Sequence, residues 1–174
     1  MLKRIANYVE EMVTDNKYAD FRVSVSVDGI GDLHDNIRGV KGSYDNLIKT
    51  LDLLLMLRSK YNNLWIDITT VISKYNYLEF ENIYNYIKNN IDVDNHVYSF
   101  ARGVTKEDDA KEVPIEYYSK IKNMVRQSEK KSKHFFQDKT TIIRELVRDE
   151  VERELNSNSF NHVCSAGKKF IEIY

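Results

Sequence analysis

The sequence predicts an α/β fold built on parallel strands, and three observations carry that expectation. FRVSVSVD (21–28) alternates apolar and polar residues with the period of a strand. LWIDITTVI (64–72) is rich in β-branched residues, and HVYSFARG (96–103) is a third strand-like run. Long helical patterns separate these runs. Strand, helix, strand, helix, strand at this spacing specifies parallel pairing with right-handed crossovers rather than a meander.

Taken in order, residues 3–14 form a short amphipathic helix with Ile5, Tyr8, Val9, Met12 and Val13 on one face. In the first strand Phe21, Val23, Val25 and Val27 share one face, and Arg22, Ser24, Ser26 and Asp28 share the other. A long loop, Gly29–Gly42, follows. Residues 43–61 are a strong helix, with Ser43 as N-cap, Asp45 in the first turn, Arg58 and Lys60 in the last, and an apolar stripe through Leu47, Ile48, Leu51, Leu54 and Leu55. After the second strand comes a short polar stretch and a helix over Tyr77–Asn89. Beyond Gly103 the character changes to a charged linker, 104–113. Pro114 stands where a helix can start, and charged helical sequence then runs to about Leu155 through Tyr118, Ile121, Val125, Ile142, Leu146 and Val151. The polar NSNSFNH breaks it before the tail VCSAGKKFIEIY.

Composition narrows the function classes. The 174 residues suffice for a domain with a real core, and their net charge of −1 with interleaved signs argues against a general nucleic-acid binder. No apolar run approaches the roughly 20 residues that span a bilayer, and MLKRIANYVEEM carries acids where a signal peptide is apolar. A cytoplasmic protein is expected. The single cysteine, Cys164, excludes an internal disulfide and fits a reducing compartment.

The polar face and the long loop point to a site. In parallel α/β folds the loops leaving the C-terminal ends of strands build the site, and an ordinary βα loop runs roughly 2–6 residues. The glycines of 29–42 let the backbone approach a ligand closely, and Arg38 offers a planar fork for a carboxylate or phosphate. Parallel strands covered on both faces are apolar throughout, whereas here Ser24, Ser26 and Asp28, then Asp67 and Thr69, mark an uncovered side. That pattern fits the inside of an open barrel holding a polar ligand. Two plainer readings stand beside it: Asp28, His34, Asp35 and Arg38 brace a surface loop, and the polar face is simply solvated.

SVDGIGDLHDNIRGVKGSYDNLIKTLDLL followed by LWIDITTVISKYN resembles the second half of a radical S-adenosylmethionine (radical SAM) enzyme, in which the fourth strand ends in a Ser-x-Asp-Gly step and leads into His-Asp-x-x-Arg. The tail CSAGKKFIEIY is similar to the start of the cysteine-rich SPASM extension that holds auxiliary iron–sulfur clusters. The resemblance implies a partial (β/α)6, TIM-like barrel: 1–103 as the C-terminal half of the core, 104–160 as a charged helical connector, and 161–174 as the start of a truncated SPASM domain. It places the hydroxyl of Ser26 at the ribose of S-adenosylmethionine and Arg38 at the methionyl carboxylate, with Thr70, Val71 and Asn76 near the bound cofactor. Asp28, Gly29, His34 and Asp35 shape the loop. Cys164 matches the first SPASM cysteine, a thiolate ligand of an auxiliary [4Fe-4S] cluster, or is a small, partly buried structural residue.

The family's chemistry depends on a Cys-x3-Cys-x2-Cys loop that this sequence does not contain. The first three strands and the turn that holds the methionyl amine are likewise not matched. The expectation is therefore an internal fragment of a longer enzyme, inactive alone and marginally stable or prone to aggregate because its first strand presents an unpaired edge. The complete protein would cleave S-adenosylmethionine reductively and abstract hydrogen from a peptide or small-molecule substrate. One alternative is a non-catalytic interaction module that binds a partner through the 114–155 helices. Another is a divalent-metal site for hydrolysis built from Asp28, Asp32, His34 and Asp35, although their spacing follows no EF-hand-like pattern and no second element supplies ligands.

Overall fold

The computed structural model describes residues 2–101, 107–130 and 139–157, and the chain divides into two units, Met1–Val113 and Pro114–Tyr174. The first unit is an α/β structure around a three-stranded parallel sheet, order β1-β2-β3, with β1 at Phe21–Ser26, β2 at Leu64–Ile72 and β3 at Asn95–Phe100. Its helices are α1 (Leu2–Asp15), α2 (Asp32–Arg38), α3 (Ser43–Arg58) and α4 (Phe80–Asn90).

Register separates the sheet into two unlike faces. Phe21 pairs with Leu64 and Arg22 with Trp65, so Phe21, Val23 and Val25 share a face with Leu64, Ile66 and Ile68. That face carries the core. Ile66, Ile68 and Leu54 are fully buried there together with Val9 and Val13 of α1, Leu51 and Leu57 of α3, and Ile83 and Ile87 of α4. The other face bears Arg22, Ser24 and Ser26, then Trp65, Asp67, Thr69 and Val71, then Asn95, Val97 and Ser99. Arg22, Ser24, Ser26, Trp65, Val71 and Ser99 are exposed on it. Parallel strands normally bury both faces, so a polar, solvent-facing side is the unusual feature of this sheet.

Several local expectations need correcting. The loop after β1 contains a seven-residue helix, α2, which ends on Gly39 in the left-handed conformation (φ 67°) that a residue without Cβ adopts at no steric cost. Ser43 is not the N-cap of α3; Gly42 holds that position and the capping carboxylate comes from Asp35. On α1, Val9 and Val13 face the core while Ile5 and Tyr8 are exposed, because only the narrow side of the helix that meets α3 is covered. The described part of the expected linker, 107–113, is bonded to the first unit: a 3-10 turn at Asp108–Lys111 accepts the Lys74 N–H at Ala110 (3.0 Å), and Lys74 pairs with Asp109 at 2.7 Å.

The second unit contains α5 (Ile115–Lys130) and α6 (Lys139–Ser157). Tyr118, Ile121 and Val125 are its buried apolar residues on α5. Lys122, also buried, bonds Asp149 at 2.7 Å and Glu152, and Ser119 donates to Glu152 as well. Burial opposes the Lys122 charge, yet the two carboxylates prevail and raise its pKa above the ordinary lysine value. Leu146, expected among the apolar positions of this segment, is exposed together with Ile143 and Val147.

Candidate functional site

The C-terminal ends of β1 and β2 separate, and side chains replace the backbone ladder where they do so. The last ladder bond runs from Val27 N–H to Thr69 C=O at 2.9 Å. One step further, a continuing parallel ladder would join Val71 N–H to Val27 C=O. Instead the Thr70 hydroxyl donates to Val27 C=O (2.7 Å), and Val71 N–H donates to the Asp28 carboxylate (2.9 Å). Buried backbone groups must find partners, so two polar side chains are required at this parting.

Asp28 is 4% exposed and uses all of its polar groups. Its second carboxylate oxygen pairs with Arg38 Nη2 at 2.6 Å, its N–H donates to His34 Nδ1 at 3.3 Å, and its carbonyl accepts from Asn76 Nδ2 at 2.8 Å. Asn76 is 1% exposed and also donates to Val71 C=O (2.8 Å) while accepting from Ser73 N–H (2.7 Å). A Cβ at Gly29 would lie 2.7 Å from the backbone nitrogen of His34, so glycine is needed for α2 to sit this close to the strand end. Burial, and after it Arg38, lower the His34 pKa below the ordinary histidine value against the opposing pull of Asp28 and Asp35. Asp35 takes Tyr44 N–H (2.8 Å), Gly42 N–H and the Ser43 hydroxyl (2.9 Å); these bonds, led by Tyr44, pull its carboxyl below the usual aspartate value.

The residues expected at a cofactor divide into three groups. Ser26 and Val71 lie on the polar face, both exposed. Arg38 and Asn76 join Asp28 at the C-terminal edge, with the Arg38 side chain 42% exposed and Asn76 buried. Thr70 lies on the opposite, helix-covered face, fully buried, where its hydroxyl meets His96 Nε2 at 2.8 Å. Because the single Thr70 proton goes to Val27, His96 Nε2 carries the hydrogen of that bond and Nδ1 is unprotonated. Burial drives the His96 pKa down to about 4, and the ring stacks on Tyr84 with centroids 5.3 Å apart. Cys164 lies outside the described residues.

A second polar cluster, which sequence reasoning missed, occupies the N-terminal end of the same face. Arg22 bonds both oxygens of Asp67 (2.8 and 3.1 Å), Asn95 donates to Asp67 at 3.2 Å, and the Arg22 guanidinium lies 5.7 Å from the centre of the Trp65 ring. Alternation marks both residues as sharing that face; their pairing across 45 positions leaves no local signal.

Among the described residues no group of His, Cys, Asp and Glu is arranged to hold a metal ion, and no helix is long and apolar enough to cross a membrane. Two of the three carboxylates suggested for a hydrolytic metal are engaged elsewhere, Asp28 with Arg38 and Val71, Asp35 with the start of α3. The chain matches no known protein-family profile, no curated protein and no solved structure.

Proposed function

We propose that the chain forms the second half of the partial (β/α)6 barrel of a radical SAM enzyme of the SPASM subgroup, and that the C-terminal edge of its sheet holds part of S-adenosylmethionine. The observation that carries this reading is the two-faced parallel sheet. Helices α1, α3 and α4 pack on one face, the other is polar, and a buried, fully bonded aspartate sits where β1 and β2 part. Ligands in parallel α/β folds collect at the C-terminal ends of the strands.

The residues present suit the cofactor's polar end. Ser26 presents an exposed hydroxyl for a ribose. Arg38 spends part of its five-donor fork on Asp28 and, half exposed, keeps N–H groups for the methionyl carboxylate. Val71 lines the same face, while Thr70 and Asn76 fix the backbone around it from behind and below. When bound, S-adenosylmethionine would supply reductive-cleavage chemistry that serves hydrogen abstraction from a peptide or small-molecule substrate. This chain's own part is to bind and orient the ribose and carboxylate; one cysteine does not make the three-cysteine cluster loop. Cys164 is proposed as a ligand of an auxiliary cluster. A second reading, a non-catalytic interaction module, draws on the exposed Ile143, Leu146 and Val147 of α6.

The test is to isolate the natural gene product at its native length without oxygen, reconstitute it with iron and sulfide, reduce it, and assay 5'-deoxyadenosine. Formation of 5'-deoxyadenosine, abolished by changing an upstream cluster cysteine, supports the enzyme. A native product with no three-cysteine loop and no cleavage overturns it.

A further inference from the structure

We propose that Asp28 is the positioning residue of this site: its carboxylate holds the Arg38 guanidinium at the C-terminal edge of the sheet and ties that placement to the Val71 backbone of β2. The family resemblance assigns Asp28 no ligand, and the inference rests on the proposed function only for the identity of the molecule Arg38 receives.

The argument comes from how the bonds are distributed. Arg38 is the last residue of α2, a helix too short to be rigid by itself. Its side chain is 42% exposed and would sample many rotamers without a partner. Asp28 supplies that partner from a side chain only 6% exposed. The carboxylate cannot swing, because its other oxygen is committed to Val71 N–H and the backbone on both sides is held by His34 and Asn76. Two elements that share no ladder bond at this point, α2 and β2, thus meet in one carboxylate. The pair is also close to charge-neutral. An incoming carboxylate therefore gains directed N–H donors from Arg38 at a place where the net charge alone would offer little attraction, which makes orientation the quantity Asp28 controls.

Asp28→Asn is the decisive variant, since the amide keeps an oxygen for Val71 N–H while the charge that holds Arg38 is lost. Two readouts are needed. The first is the side-chain Nε–Hε NMR signal of Arg38 without ligand: ordered in the wild type and motionally averaged in D28N supports the proposal. Equal order in both overturns it, whatever the ligand turns out to be. The second is titration of the native-length protein with S-adenosylhomocysteine, which carries the carboxylate, and with adenosine, which lacks it. D28N should weaken S-adenosylhomocysteine about tenfold, the worth of one charge-assisted contact, and leave adenosine unchanged. Equal weakening of both ligands means Asp28 is merely structural and overturns the proposal. A wild type that binds neither ligand overturns the radical SAM reading, and the Arg38 signal still decides the role of Asp28. Should D28N not fold, the Arg38→Gln variant must show the same selective loss of S-adenosylhomocysteine; a uniform loss counts against the pair.

Discussion

Two arginine–aspartate pairs stand at opposite ends of one sheet surface, and by exposure they are nearly twins. Arg22–Asp67 has side-chain exposures of 47% and 4%, Arg38–Asp28 of 42% and 6%. Their surroundings differ. Arg22 and Asp67 are both on strands, at positions where an intact backbone ladder already joins β1 to β2, and Asn95 extends the tie to β3. Arg38 and Asp28 meet beyond the last ladder bond, where the pair and its neighbours are themselves the connection. The same chemistry is a redundant brace in one place and, in the other, the tie that holds two parting elements together. Position relative to the end of strand pairing decides which.

Acid should have the largest effect, and it should act at the C-terminal end. His96 is pinned under the separating strands by Thr70, and its folded pKa of about 4 lies below the ordinary 6.5. Between those values the unfolded chain binds the proton and the folded chain does not. The contribution is therefore complete above pH 6.5, declines as pH falls toward 4, and levels off below that. The span corresponds to about 3 kcal/mol. Denaturant titrations across this range should show that slope, and His96→Gln should flatten it. Hydrogen exchange should quicken first at Val27 and Val71, with the laddered amides of Val23 and Asp67 protected longer.

Thr70→Val should cost about 2 kcal/mol, because it leaves the Val27 carbonyl and the His96 N–H buried without partners. It should also loosen the Arg38 signal while the Arg22–Trp65 contact persists, a difference that NMR resolves. The smallest effect belongs to the N-terminal pair. Asp67→Ala should lower stability by about 1 kcal/mol, since its half-exposed arginine rehydrates, and should leave S-adenosylhomocysteine affinity unchanged. A loss of ligand affinity from D67A as large as that from D28N would erase the distinction between the two ends.

Much of this arrangement can be read in the sequence, for physical reasons that also mark where reading fails. β2 coincides with its expected bounds because a β-branched run has few alternatives, and the polar face follows from strict alternation in FRVSVS. Alternation also forbids Thr70 and Val71 from facing the same side; grouping them at one ligand reflects a resemblance that assigns segments rather than faces. Helix α2 carries no usable period in its seven residues between glycines, and it is held by bonds between His34 and Asp28 and between Asp35 and the start of α3 that exist only after folding. Ser43 offered a good cap by residue type, but the Asp35 carboxylate reaches the first N–H groups of α3 and brings negative charge to the positive end of that helix. The candidate residues Ser26, Arg38, Val71 and Asn76 were legible as a neighbourhood. That Asp28 joins the last three to one another was not.

A ligand site at the C-terminal edge is tested by titrating S-adenosylhomocysteine into the isotope-labelled protein and mapping which backbone and arginine side-chain NMR signals move. Shifts are expected at Ser26, Asp28, Val71, Asn76 and the Arg38 guanidinium, with Arg22, Asp67 and Asn95 still. Shifts confined to the N-terminal end of the sheet, or none at the C-terminal edge at saturating ligand, would contradict it.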